Sequence, residues 1–172
     1  MPQSLHSLGV HIVFSTKGRL PYLTDPYRPR AHAYIATLLA DMGCHGITVG
    51  GIEDHVHILC LFTKSYTTAD VLKKVKTESS KTIKTFDENL SGFQWQAGYG
   101  LFGVSPRDMD MVRSYVSKQA EHHQRESFQD EFRRLLRDAE MEFDEKYVWD
   151  CRAPSGHQND GENPQDFVLG YE

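Results

Sequence analysis

The order of the predicted strands and helices restricts the fold of this 172-residue chain more than any other feature of its sequence. Every second residue from Leu8 to Phe14 is apolar, which predicts a strand over residues 8–16. The next predicted elements are a helix over 31–42, strands over 45–52 and 55–62, a helix over 67–86 and a strand over 93–104. This split βαβ order predicts an α+β, ferredoxin-like fold, in which a four-stranded antiparallel sheet carries helices on one face.

Further elements are predicted after the sheet. Ser105 and Pro106 form a typical helix start, and the helix is expected over 106–123. Ser127 begins another helix, and residues 142–150 are predicted to form a short final strand. The predicted domain therefore spans residues 1–150 and ends in C-terminal helices.

The segment 151–172 differs in composition from the rest of the chain. It is rich in Gly, Asn, Pro, Gln and acidic residues, and we interpret it as a mobile acidic tail. The three cysteines form no CxxC pair, no apolar run approaches membrane-spanning length, and residues 1–10 do not resemble a secretory signal. We therefore expect a cytoplasmic protein with no membrane partner.

The charged residues are unevenly distributed. The net charge of −5 argues against a nucleic-acid partner, but residues 64–84 have a net charge of +4, and residues 121–150 have a net charge of −5. Four lysines fall on the side of the helix 67–86 that lies opposite its apolar residues, and we call them the lysine face: Lys73, Lys74, Lys81 and Lys84. Such a face either neutralises phosphates or only keeps a helix soluble, and the sequence leaves both interpretations open.

Two histidines lie inside the apolar strand 55–62. Side chains alternate along a strand, so His55 and His57 point to one face, roughly 7 Å apart. Both imidazoles can then reach one metal ion, but two ligands leave a site incomplete, and a third must come from elsewhere. An isolated H-x-H is more often a pair of hydrogen-bonded histidines than a metal site.

A second polar group lies on the predicted helix 106–123. Tyr115 and Gln119 are four residues apart and share one face beside the apolar stripe, and His122 projects on the same flank. By itself, a tyrosine in this position is more often a core-edge side chain than a nucleophile. The sequence contains no P-loop, G-x-S-x-G, G-x-G-x-x-G or H-E-x-x-H motif.

Together, a strand His-hydrophobic-His and a downstream helical Tyr-x-x-x-Gln resemble the HUH single-tyrosine transposases of the insertion-sequence-200-like group. The similarity covers roughly residues 5–150. It extends to the segments LGVHIVFSTKGRLPYL, GIEDHVHIL, FQWQAGYGLFGVS, VRSYVSKQAEHH and FRRLLRDAEMEFDEKYVWD. H-x-H alone is a weak signal, whereas both motifs at this separation in a ferredoxin-like order are specific.

The resemblance implies a DNA transposase that cleaves and rejoins single-stranded DNA at hairpin-bearing ends of a mobile element, through a 5′-phosphotyrosine intermediate. It implies that Tyr115 is the nucleophile and that His55, His57 and Gln119 hold Mg²⁺ or Mn²⁺. It also implies a homodimer, in which the tyrosine helix of one subunit can complete the histidine site of the other. The lysine face and His122 are then the candidates for DNA contacts.

Three other interpretations fit the sequence less well. A domesticated relative would bind hairpin DNA without cutting it. A single-strand nucleic-acid-binding module would stack bases on Phe93, Trp95 and Tyr99. A structural zinc site would lack the usual thiolate ligands. From the charge pattern we further expect DNA to contact the lysine face and the His55/His57 face, away from residues 121–150.

Overall fold

A four-stranded antiparallel sheet with the strand order β2-β3-β1-β4 forms the centre of the fold. The computed structural model describes residues 5–122 and 126–149, so the tail predicted over 151–172 lies outside the described residues. The strands are β1 (Gly9–Ser15), β2 (His45–Gly51), β3 (His55–Leu61) and β4 (Gly100–Val104). Helices α1 (Tyr27–Asp41) and α2 (Thr68–Ile83) connect them in the predicted order, which confirms the ferredoxin-like α+β fold.

One face of the sheet packs against α1 and α2 to form the main core. Alternate strand residues point to this face, and all are buried: Val10, Ile12, Phe14, Val56, Ile58 and Cys60. Burying each large apolar side chain stabilises the fold by about 1.5–3 kcal/mol. This core holds β1 and β3 at the centre of the sheet, so the residues on their opposite face are held in fixed positions.

That opposite face is covered by helices from the C-terminal third of the chain. They are α3 (Met109–Ser117), α4 (Gln119–His122) and α5 (Phe128–Asp138), with α6 (Glu145–Trp149) beside α5. The α5 side chains Phe128, Phe132 and Leu136 pack with Val13 and Phe102 of the sheet. The sheet is therefore buried on both faces. In the described part of the chain, no helix is long and apolar enough to span a membrane.

Helix α3 approaches β2 closely because Gly50 has no side chain. A Cβ atom at Gly50 would lie 1.9 Å from the carbonyl oxygen of Val116. The contact sets the distance between α3 and the sheet. It therefore also helps to position the side chains on the inner surface of α3, which include Tyr115.

The strand predicted over 93–104 is shorter in the structure. Only Gly100–Val104 pair with β1, and Trp95 forms a single isolated bridge with Thr16. Phe93 and Trp95 are buried in the main core, and the Trp95 indole donates a 2.9 Å hydrogen bond to the Ser79 hydroxyl. They are therefore not available as a base-stacking platform.

The helix predicted over 106–123 is two helices. Residues 106–108 form a turn before α3 begins, and the hydroxyl of Ser105 bonds to the carboxylate of Asp108 at 2.8 Å. Lys118, with φ −104° and ψ 21°, separates α3 from α4. This break turns α4 toward the sheet, and Gln119 is buried as a result.

The strand predicted over 142–150 is wrong, because Glu145–Trp149 form the helix α6. The Glu145 carboxylate accepts hydrogen bonds from Arg133 Nε at 2.7 Å and Nη2 at 3.1 Å. The ring of Trp149 packs on Phe128 and Phe132, the aromatic cluster of α5. These contacts with α5 favour a helical turn over pairing with a sheet edge.

Helix α1 also begins earlier than predicted, at Tyr27, because Pro29 lies in the first turn, where its missing N–H costs no helical bond.

Candidate active site

His55 and His57 lie side by side on the sheet face that α5 covers. Both side chains are fully buried, and their ring centroids are 5.1 Å apart. The ring of Phe128 stacks on His55 at a centroid distance of 4.3 Å. The two imidazoles thus share one face, as the alternation along β3 predicts, in a site enclosed by protein.

Each of these histidines is oriented by a hydrogen bond to its Nδ1 atom. Asp54 Oδ1 lies 2.7 Å from His55 Nδ1, and His11 Nε2 lies 2.9 Å from His57 Nδ1. Partners of this kind fix the ring orientation and present Nε2 to a metal ion. Burial, with a smaller contribution from His57, lowers the pKa of His11 to about 3, so His11 is neutral at neutral pH.

Glu131 on α5 brings a carboxylate to the two Nε2 atoms. Its Oε2 lies 3.4 Å from His57 Nε2 and 3.9 Å from His55 Nε2. Ligand atoms of the three residues all lie within 4.8 Å of one another. The group of His55, His57 and Glu131 can therefore hold one metal ion.

Glu131 was missed by the sequence analysis. The premise that the histidine face lies away from residues 121–150 is wrong, whereas the expected DNA contact with the lysine face and the histidines stays a prediction. The apolar stripe of α5 docks that segment directly over the histidines. A signal was nevertheless present: Glu131 lies between Phe128 and Phe132, on the apolar stripe of its helix. An acidic residue in that position is expected to point inward.

Tyr115 reaches the same carboxylate from α3. Its hydroxyl donates a hydrogen bond to Glu131 Oε1, and its ring lies edge-on to His57 with a centroid distance of 5.9 Å. Burial, followed by the hydrogen bond to Glu131, raises the pKa of Tyr115 above its ordinary value. The phenol is therefore protonated at neutral pH. All these contacts lie within one chain.

Gln119 contacts the other side of this carboxylate. Its amide Nε2 donates to Glu131 Oε1 at 3.2 Å. Its Oε1 is buried and has no hydrogen-bond partner within residues 5–122 and 126–149. The predicted ligand Gln119 therefore lies at the edge of the cluster with an acceptor atom available to a cation.

Arg134 is a further side chain that sequence reasoning did not identify. It lies one turn after Glu131 on α5, and its Nη2 donates to the Tyr115 hydroxyl at 3.2 Å. Its guanidinium also bonds to Glu126, with Nη2 3.1 Å from Oε2. The hydroxyl of Tyr115 thus lies between a buried carboxylate and a half-exposed guanidinium.

The lysine face lies on the other side of the sheet. Lys73, Lys74, Lys81 and Lys84 are exposed on α2, which packs against the face opposite the histidines. Lys73 and Lys81, with Lys76 and Tyr99, line a groove of about 660 Å³ between α2 and residues 94–99. DNA that contacts both the lysine face and the histidines must therefore pass around an edge of the sheet.

His122 ends α4, and its side chain lies outside the described part of the structure.

Comparisons with known proteins place this geometry in context. The family described as IS200-like transposases matches residues 4–119. The fold is similar to that of a protein from Deinococcus radiodurans R1 assigned as a transposase, with a TM-score of 0.54 and 20% identity over 69% of this chain and 98% of that one. It is also similar to a REP-associated tyrosine transposase bound to a REP hairpin, with a TM-score of 0.53 and 11% identity over 72% of each chain. Among curated proteins, none matches the chain.

Proposed function

The chain belongs to the IS200-like transposase family, and from this premise we propose that it cleaves and rejoins single-stranded DNA at hairpin-bearing ends of a mobile element. Tyr115 is the nucleophile of the proposed reaction, and a 5′-phosphotyrosine is its intermediate. His55, His57 and Glu131 are the proposed ligands of a divalent ion, with Gln119 beside them.

One observation carries the proposal. The hydroxyl of Tyr115 and the Nε2 atoms of His55 and His57 converge on the two oxygens of Glu131. A nucleophile and a metal-binding group are thus within reach of a single phosphate. If Tyr115 had only a packing role at the edge of the core, no convergence of its hydroxyl with two imidazoles on one carboxylate would be expected.

The residues fit a divalent cation. Two imidazole nitrogens and a carboxylate oxygen can bind one ion, and the buried Gln119 Oε1 offers a further oxygen. Imidazole ligands suit Mn²⁺ better than Mg²⁺, which prefers oxygen ligands. When bound, such an ion offsets negative charge on the scissile phosphate and orients it.

Tyr115 and Glu131 provide the nucleophile and the proton acceptor of the proposed reaction. The Tyr115 Oη–phosphorus bond forms as the bond from phosphorus to the 3′ oxygen breaks, and the released 3′ oxygen takes up a proton. The Tyr115 proton has an acceptor in place, because its hydroxyl already donates to Glu131. The phosphodiester is conserved as a phosphotyrosine, so rejoining needs no nucleotide cofactor, which agrees with the absence of a P-loop from the sequence.

The groove beside α2 is the proposed site for the hairpin. Three of its lining residues are Lys73, Lys76 and Lys81, and the partly exposed ring of Tyr99 offers a surface for base stacking. From there a single-stranded flank would pass the sheet edge to reach Tyr115.

The family resemblance also supports a homodimer, which light scattering can test. It further supports a cytoplasmic location, where the DNA substrate is found.

A covalent-adduct assay tests the proposal. The full chain is incubated with Mn²⁺ and the single-stranded, hairpin-bearing DNA that flanks its gene, and a denaturation-resistant complex is sought on a gel. Wild type and the control variant Tyr66→Phe, which changes an exposed tyrosine, should form the adduct. Tyr115→Phe should bind the same DNA and form none. An absence of adduct with wild type would contradict cleavage and favour a non-cutting hairpin-binding protein.

A further inference from the structure

We propose that Arg134 binds a non-bridging oxygen of the phosphate that Tyr115 attacks and stabilises the charge that develops there. This inference rests on the proposed function, because it assumes that Tyr115 is the nucleophile. It assigns a catalytic role to a residue outside the H-x-H and Tyr-x-x-x-Gln motifs.

Arg134 lies close to the atom that would attack the phosphate. Its Nη2 lies 3.2 Å from the Tyr115 hydroxyl oxygen, and its guanidinium carbon lies 5.9 Å from the centre of the tyrosine ring. A phosphorus atom bonded to that hydroxyl oxygen brings its non-bridging oxygens into the same region. The guanidinium therefore needs little movement to reach them.

Helix α5 presents Arg134 toward solvent and Glu131 toward the interior. Glu131 and Arg134 are three residues apart, so both face Tyr115, with Glu131 on the buried side and Arg134 on the solvent side. The Glu131 side chain is 2% exposed and that of Arg134 is 39% exposed. DNA arriving from solvent would meet the guanidinium before it met the carboxylate.

A guanidinium group matches the charge that the reaction would create. As the tyrosine oxygen–phosphorus bond forms and the bond to the 3′ oxygen breaks, negative charge accumulates on the non-bridging oxygens of the phosphate. A planar guanidinium with several N–H donors is well suited to bind such oxygens. The anions that hold it at rest, Glu126 and Asp138, are themselves partly exposed, so a phosphate can replace them at modest cost.

Arg133 provides a matched control on the same helix. It pairs with Asp130 and Glu145 and lies over the ring of Trp149, on the side of α5 facing α6. Arg133→Gln removes one positive charge from α5, as Arg134→Gln does, without changing a group that contacts Tyr115. Comparing the two variants separates a local effect at Tyr115 from a general effect of charge.

The rate of adduct formation with Mn²⁺ and hairpin-bearing single-stranded DNA tests the proposal. Arg134→Gln should slow it roughly 10²-fold, the usual cost of losing one donor to transition-state charge, whereas DNA affinity measured in the Tyr115→Phe background should change less than about threefold. Arg134→Lys should recover part of the rate because it keeps the charge. Arg133→Gln should react as wild type does.

A phosphorothioate at the scissile phosphate supplies a readout that a structural role would not change. The stereoisomer with sulfur at the oxygen bound by Arg134 should slow wild type, and it should slow Arg134→Gln much less. Equal rates for Arg134→Gln and wild type would overturn the proposal, as would equal losses in both arginine variants or the same thio effect in wild type and Arg134→Gln. If wild type itself forms no adduct, the proposed function fails, and this inference fails with it.

Discussion

His11 and His57 are joined by a 2.9 Å hydrogen bond between His11 Nε2 and His57 Nδ1, across the neighbouring strands β1 and β3. The bond holds the ring of His57 so that its Nε2 points at Glu131. His11 is itself packed among the rings of His57, Phe102 and Tyr115. The orientation of one proposed metal ligand therefore depends on a residue 46 positions earlier in the chain.

Removing this bond should weaken metal binding. His11→Ala should lower the affinity for Mn²⁺ about 10–100-fold, the usual effect of losing a residue that orients a ligand. His11→Gln, whose amide can still bond to His57, should retain more of the affinity. Titration calorimetry of the full chain measures this, with the exposed His45→Ala as control. Unchanged affinity in His11→Ala would show that His57 needs no such support.

Glu131 should determine how much a metal ion stabilises the protein. At a Mn²⁺ concentration about 100 times the dissociation constant, binding adds about 2.7 kcal/mol to the free energy of unfolding. Glu131→Gln should lose most of this gain because an amide oxygen is a weaker ligand than a carboxylate. Thermal unfolding with and without Mn²⁺ measures it, and Glu142→Gln, at an exposed position, is the control. An equal gain in Glu131→Gln would exclude Glu131 as a ligand.

The contact between Gly50 and Val116 should be essential for positioning Tyr115. Gly50→Ala would place its Cβ 1.9 Å from the Val116 carbonyl oxygen and push α3 away from the sheet. We expect a loss of about 1–3 kcal/mol in unfolding free energy and a larger loss in the rate of adduct formation. Gly103→Ala is the matched strand control, because its Cβ would have no described atom within 4 Å apart from those of its chain neighbours. Similar behaviour of the two variants would contradict the prediction.

The groove beside α2 should contribute electrostatic affinity for DNA. Replacing Lys73 and Lys81 with Gln should weaken hairpin binding at low salt and reduce the slope of log affinity against log salt by about 2. Lys64→Gln, also exposed but absent from the lining of the groove, should leave the slope nearly unchanged. Fluorescence anisotropy over a salt series gives these slopes. A double variant with the wild-type slope would place the hairpin elsewhere.

Acid should destabilise the fold through His32. Burial, followed by the charge of Arg28, lowers the pKa of His32 to about 4, so the folded form holds it neutral while the unfolded chain takes up a proton below about pH 6.5. Stability is therefore lost as the pH falls from about 6.5 to about 4, by up to about 3 kcal/mol from this group. Urea unfolding of His32→Gln and of the exposed control His45→Gln, at pH 7 and 4.5, should show a smaller acid loss in His32→Gln.

The sheet could be predicted from the sequence because strands such as β1 and β3 follow the alternation of side chains locally. The errors fall where tertiary contacts decide the structure. Phe93 and Trp95 resemble strand residues, but they are drawn into the main core, and Ser79 on α2 accepts the hydrogen bond of the indole. Residues 145–149 form a helix because Glu145 binds Arg133 of α5 and Trp149 packs on the aromatic cluster of α5.

The site could be predicted only as far as its motifs extend. His55 and His57 follow from strand alternation, and Tyr115 and Gln119 follow from helical spacing and from the family resemblance. His11, Glu131 and Arg134 belong to no local pattern with them, since strand pairing and the docking of α5 bring them to the site. The acidic charge of residues 121–150 also misled the prediction, because the average charge of the segment does not show that the Glu131 carboxylate points inward.

The surroundings of Tyr115 come from two parts of the sequence. The family match ends at Gln119, whereas Glu131 and Arg134, both bonded to the Tyr115 hydroxyl, come twelve and fifteen residues later. The sheet and Tyr115 thus lie within the part of the chain that the family matches, whereas α5, which faces Tyr115, lies after it. We expect that replacing α5 with that of a relative changes Mn²⁺ affinity and the rate of adduct formation, because Glu131 and Arg134 are replaced with it, while His55, His57 and Tyr115 stay in place.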